Sequence, residues 1–69
     1  MSNMLLEVDT DNFELQMLDG SVFSVNPADI TICCTWTPTA ELSIKKNSNQ
    51  TYNYTITNDG SSIYAMKIS

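Results

Sequence analysis

Apolar and polar residues alternate through Phe13-Glu14-Leu15-Gln16-Met17 and again through Ser21-Val22-Phe23-Ser24-Val25, and the two runs are hinged on Asp19-Gly20. Period-two alternation on both sides of an Asp-Gly pair predicts a β-hairpin. Opposed residues of an antiparallel pair share a face, so side-chain parity selects the loop length. A two-residue loop would place Leu15 opposite Ser24 and Phe13 opposite Asn26, which mixes apolar and polar residues on both faces. A three-residue loop of Leu18, Asp19 and Gly20 places Leu15 opposite Phe23 and Phe13 opposite Val25, with Glu14 opposite Ser24. The second register gives the one apolar face that a half-buried sheet requires. Its turn is of type I closed by a G1 bulge, and Gly20 falls at the position that needs positive φ.

The same hinge recurs at Asp59-Gly60-Ser61. A loop of Asn58, Asp59 and Gly60 pairs Tyr54 with Tyr64 and Tyr52 with Met66, which turns Asn53, Thr55 and Thr57 to the other side. Further strands are expected over Ile30–Trp36, β-branched at nearly every second position, and over Glu41–Lys46 with Leu42 and Ile44 inward. Asn26-Pro27-Ala28-Asp29 reads as a turn or a single 3₁₀ turn, and Asn47-Ser48-Asn49-Gln50 as a polar turn. With strands near residues 12–17, 21–26, 51–57 and 62–68, the pattern predicts an antiparallel meander of five to six short strands. The expected fold is all-β, a small SH3-like barrel or a strongly bent meander. Residues 1–11 read as a leader or short arm, in which Leu5-Leu6-x-Val8 suits a short strand, and residues 12–69 as a single β domain.

One succession carries a resemblance. Leu15-x-x-x-Asp19-Gly20-Ser21-x-Phe23-x-Val25 is followed by Pro27-x-Asp29, then by Trp36 before a Pro-containing loop. Leu42-x-Ile44 and Tyr52-x-Tyr54-x-Ile56-x-Asn58 complete it. This resembles a group of small, largely uncharacterised bacterial proteins with SH3-like barrels. The resemblance implies the fold and no activity. The chain departs from the group's pattern with Phe23 where a tryptophan is expected, and with Thr39-Ala40 where a Gly-Asp turn is usual.

Composition narrows the function. Sixty-nine residues carry 8 acids and 3 lysines, a formal net charge of −5, with no histidine. That balance opposes binding to nucleic acid or anionic lipid, both of which need basic patches. Residues 1–41 hold seven of the acids and no lysine, so a basic protein partner would meet that half first. The acids also serve solubility. Without histidine there is no ordinary general base near neutral pH, and neither Cys33 nor Cys34 has a histidine to activate it. The chain is expected to be no enzyme and to need no cofactor.

Adjacent strand residues point to opposite faces, so Cys33 and Cys34 are expected as free thiols. Cys34 shares parity with Ile30, Ile32 and Trp36 and is expected inside, with Cys33 the more exposed. Asp9-Thr10-Asp11-Asn12 offers alternating oxygen atoms, but an EF-hand loop beginning at Asp9 would need Gly at position 14 and Glu at position 20, and finds Glu14 and Gly20. No metal site is expected. Phe13, Phe23, Tyr52 and Tyr54 read as core, whereas Trp36, ending its run beside Pro38, reads as a barrel-rim residue.

The expected role is a protein-interaction module, with Asp9, Asp11, Glu14 and Trp36 as the partner-binding residues. Met1 to Leu6 lack the basic start of a secretory signal, which places the expected location in the cytoplasm. Small size, acidity and an arginine-free composition suited to A·T-rich coding favour, as an alternative, a viral or phage-type inhibitor of a host factor. A third reading is a structural subunit that forms homo-oligomers through edge strands.

Overall fold

A computed structural model describes residues 2–68, so Met1 and Ser69, at the ends of the expected leader and domain, lie outside the described residues. Six strands form a closed antiparallel barrel: β1 (Ser2–Asp9), β2 (Glu14–Met17), β3 (Val22–Val25), β4 (Glu41–Lys46), β5 (Tyr54–Asn58) and β6 (Ser61–Lys67). Their order around the barrel is β1-β2-β3-β6-β5-β4. The protein is therefore a small all-β barrel, but it is no simple meander. β4 returns beside β1, so the first four strands lie in the order β4-β1-β2-β3 of a Greek key.

The β2–β3 hairpin has the register that parity selects, with Glu14 opposite Ser24, Leu15 opposite Phe23 and Gln16 opposite Val22. Its turn closes through Met17 N–H to Ser21 C=O at 2.9 Å and Gly20 N–H to Met17 C=O at 3.0 Å. Gly20 has φ +93°. The Asp19 carboxylate accepts from Ser21 N–H at 2.8 Å and stiffens the turn. One expected core residue leaves the pattern. Phe13 keeps its backbone bond to Val25, 2.7 Å from Val25 N to Phe13 O, but adopts φ +55°, which turns its side chain out of the barrel to 39% exposure.

Residues 2–9, expected as a leader or arm, are a barrel strand. β1 pairs with β2 along one edge and with β4 along the other. The spacing Leu5 to Val8 is odd, yet both turn inward, because a bulge between Leu5 and Glu7 inserts one residue.

The β5–β6 register corrects the expected one by a single residue. Asn58 pairs with Ser61, leaving a two-residue Asp59-Gly60 loop whose φ values of +49° and +87° are those of a type I′ turn. Tyr54 now faces Ala65, and Ile56 faces Ile63. Tyr64 pairs with Thr55 on the outer wall, where it is exposed.

The largest correction lies between β3 and β4. In place of a strand over Ile30–Trp36, a 3₁₀ turn (Pro27–Asp29) runs into a short helix, α1 (Ile30–Cys33). Asn26 caps the turn, its Oδ1 accepting from Ala28 N–H at 3.1 Å, and Pro27 stands at the first helical position. Helical spacing then brings Cys33 and Trp36, three residues apart, into the core with Leu5, Leu15, Phe23, Leu42 and Ile63. The cysteine assignment is reversed as a result: Cys33 is buried and Cys34 exposed, both as free thiols.

Candidate functional site

Chain direction fixes which loops share an end of an antiparallel barrel. The β1–β2 loop, the long β3–β4 connection and the β5–β6 turn lie at one end, and the β2–β3 and β4–β5 loops at the other. Sorting the charges by end replaces the asymmetry between sequence halves with one between barrel ends. Asp9, Asp11, Glu14, Asp29 and Asp59 belong to the first end, whereas Lys45, Lys46 and Lys67 close their strands at the second, where Asp19 of the β2–β3 loop lies near Lys67. Asp59, from the lysine-bearing half of the sequence, joins the acidic end through the direction of β5.

Three of the four expected partner-binding residues are brought together. Asp9 ends β1 directly opposite Glu14, which begins β2, and Asp11 lies exposed in the loop between them. Two carboxylates opposed at a strand end repel. The loop offsets this by engaging Asp9: Oδ1 accepts from Asp11 N–H and Asn12 N–H, each at 3.1 Å, and Oδ2 accepts from the Asn12 amide at 2.9 Å. The Asn12 side chain first, and then its backbone N–H, hold the Asp9 carboxyl below the ordinary value of 3.8. Asp9 therefore shapes the loop with its own charge, which leaves Asp11 and Glu14 as the acids presented outward.

Trp36 does not join them. It is 8% exposed and packs in the core where the β3–β4 connection closes the barrel end, so the expected rim position is corrected. Its backbone N–H donates to Cys33 C=O at 2.9 Å. The aromatic residues form no common groove either. Phe23 meets Tyr54 edge to face, 5.6 Å between centroids at 77°, while Phe13 in the β1–β2 loop and Tyr64 on β6 are exposed. Burial pushes the Cys33 thiol up from 9.0 to about 11.

Among the described residues no cavity opens, and no group of three or more His, Cys, Asp or Glu side chains converges as metal ligands. Among the same residues no helix is long and apolar enough to cross a membrane. Comparison with protein-family models, with curated proteins and with solved structures finds no match for this chain.

Sequence reasoning missed an outer-wall group of Met4, Leu6 and Leu18. The odd Leu5-to-Val8 spacing was the available signal, because only a bulge lets both residues face inward while Leu6 faces out.

Proposed function

We propose that this chain is a non-enzymatic protein-interaction module of the cytoplasm that receives a basic protein partner at the acidic end of its barrel. The observation that carries this reading is the gathering of Asp9, Asp11, Glu14, Asp29 and Asp59 at one barrel end, while the three lysines, with Asp19 near Lys67, lie at the other. Such a field steers a basic partner toward one face and repels acidic ones, setting association rate and orientation more than final affinity. Asp11 and Glu14 are the contacting acids, and Asp9 holds their loop in shape.

The test is a pull-down from the native host with the immobilised chain, run on soluble and membrane fractions at low and high salt. A specific protein should be retained at low salt, released at high salt, and lost when Asp11→Asn and Glu14→Gln are combined. Recovery of no specific protein from either fraction overturns the reading. The edge-strand route to self-assembly has less to recommend it, because a sheet closed on itself has no terminal strand.

A further inference from the structure

The outer wall of β1 carries a feature separate from the acidic end. Met4, Leu6 and Leu18 are 40%, 46% and 51% exposed. They are neighbours by register. Leu18 N–H donates to Met4 C=O at 2.9 Å, which sets the two residues directly across β1 and β2. Leu6 follows Met4 by two positions and lies at the bulge, which leaves Leu6 and Glu7 both exposed. Isolated surface leucines need no explanation, but three contiguous apolar side chains on a protein this small do.

Two exposed carboxylates stand beside the trio. Met4 is paired with Glu41 on β4 and Glu7 follows Leu6, whereas the Asp19 carboxylate after Leu18 is held by Ser21 and lies near Lys67. The nearest lysine on the same strand, Lys45, is four residues along β4 from Glu41, roughly 13 Å away at strand rise. An apolar centre with a carboxylate rim is complementary to one kind of occupant: a segment whose apolar side chains are flanked by Lys or Arg. A second copy of this chain would bring its own Glu7 and Glu41 against the same rim in a symmetric contact.

We propose that the Met4–Leu6–Leu18 wall, rimmed by Glu7 and Glu41, is a docking surface for a basic, apolar peptide segment of a protein partner. This rests on the interaction-module reading and assigns that module a contact surface distinct from the acidic end. The trio supplies the desolvated centre of the contact, and the rim carboxylates set orientation.

The test titrates the isotopically labelled full chain with a synthetic peptide of alternating leucine and lysine and follows backbone amide shifts by NMR. Control peptides alternate serine with lysine, or leucine with glutamate. The leucine–lysine peptide should shift the amides of Met4, Leu6, Leu18 and Glu41 saturably, and the controls should leave them in place. Leu6→Ser combined with Leu18→Ser should weaken binding at least about ten-fold. Glu41→Lys should weaken it too, with thermal unfolding confirming that each variant folds. Shifts confined to residues 10–13 and 59–60 would overturn the wall and leave the acidic-end reading standing. No shift with the leucine–lysine peptide at either place overturns the wall, while the pull-down decides the module reading separately. Sedimentation showing a dimer that Leu6→Ser dissolves would assign the wall to a second copy, and also overturns the proposal.

Discussion

The Asp29 carboxylate accepts a hydrogen bond from the backbone N–H of Tyr64 at 2.9 Å, tying the turn that leaves β3 to the middle of β6. The Tyr64 carbonyl is met from the same segment, by Asn26 N–H at 3.0 Å. β3 ends at Val25, and Pro27 has no N–H to continue its ladder. A side chain and a cap residue therefore complete on β6 what the strand leaves unfinished, and in doing so they aim α1 across the barrel end.

Removing that acceptor should be felt across the whole domain. Asp29→Ala leaves the Tyr64 N–H to solvent and should cost about 1 kcal/mol, less than the roughly 1.5–3 kcal/mol of a bond to a charged group, because the site is open to water. In a domain this small that lowers the melting temperature by about 4–8 °C. Asp29→Asn keeps an acceptor and should lose less. Thermal unfolding followed by circular dichroism checks both, and an alanine variant as stable as the parent would deny the bond its role.

Thr39 offers the opposite sign. A β-branched residue at φ +70° is strained, since left-handed backbone costs a non-glycine residue about 1–2 kcal/mol. It is held there by its N–H bond to Leu5 C=O at 2.7 Å, which joins the end of the β3–β4 connection to β1. A glycine at this position would meet no such strain. Thr39→Gly should stabilise the fold by about 0.5–1 kcal/mol, after subtracting the extra freedom glycine gives the unfolded chain. Gly20→Ala is the mirror experiment. No atom beyond its two chain neighbours lies within 4 Å of the added Cβ, so its expected loss of about 1 kcal/mol is backbone strain. Urea unfolding measures both, and a destabilised Thr39→Gly would contradict the account.

How far the fold was legible follows from where parity is unambiguous. In β2 and β3 only one phase is apolar, so Leu15 opposite Phe23 could be read directly. In β6 both phases are apolar, Ile63 and Ala65 against Tyr64 and Met66, and Asp-Gly serves either loop length. The two-residue turn wins because it brings Ile63 and Ala65, rather than Tyr64 and Met66, into the barrel beside Ile56. At Ile30–Trp36 β-branching suggested a strand. The stronger local signal was Asn26-Pro27, a cap followed by proline, which starts a helical turn and carries Cys33 and Trp36 to one side. The acids of the candidate site were visible as composition. Their gathering at one barrel end was not, because it depends on the direction of each strand.

The cysteines should respond unequally to thiol reagents. Cys34 is exposed, its Sγ donating to Thr31 C=O at 3.2 Å, whereas Cys33 is buried and its thiol pushed up to about 11. A thiolate-selective reagent should modify Cys34 in the native chain and Cys33 only on unfolding. The buried thiol is neutral, so its contribution to stability is complete below its ordinary value of 9.0 and lost as pH rises through 11. Rapid native labelling of Cys33, read by peptide mass, would contradict the helix.

Acid should act through the β1–β2 loop. Asp9 titrates below 3.8 because Asn12 and Asp11 donate to its charged form, so its stabilising contribution is present above that value and is lost as pH falls through the lowered one. Asn12→Ala removes the first of those donors and should move the Asp9 titration, followed by carboxyl NMR shifts, back toward 3.8. An unmoved titration would mean that the loop bonds do not hold the charge.

Trp36 separates a core role from a partner-binding one. It is the chain's single tryptophan and is 8% exposed, so native emission should be blue-shifted and should move to the red as the barrel opens. Trp36→Ala removes the largest side chain of the connection that closes the barrel end, a loss of about 3–5 kcal/mol for a buried aromatic. A chain of this length has only about 3–10 kcal/mol of total stability, so the variant should lose about a third of it or more and unfold at much lower urea. Trp36→Phe retains most of the packing and should fold. A surface contact residue would behave otherwise: Trp36→Ala would melt with the parent and lose only the partner. Urea curves of the two variants against the parent decide between these roles, and the buried position requires the first.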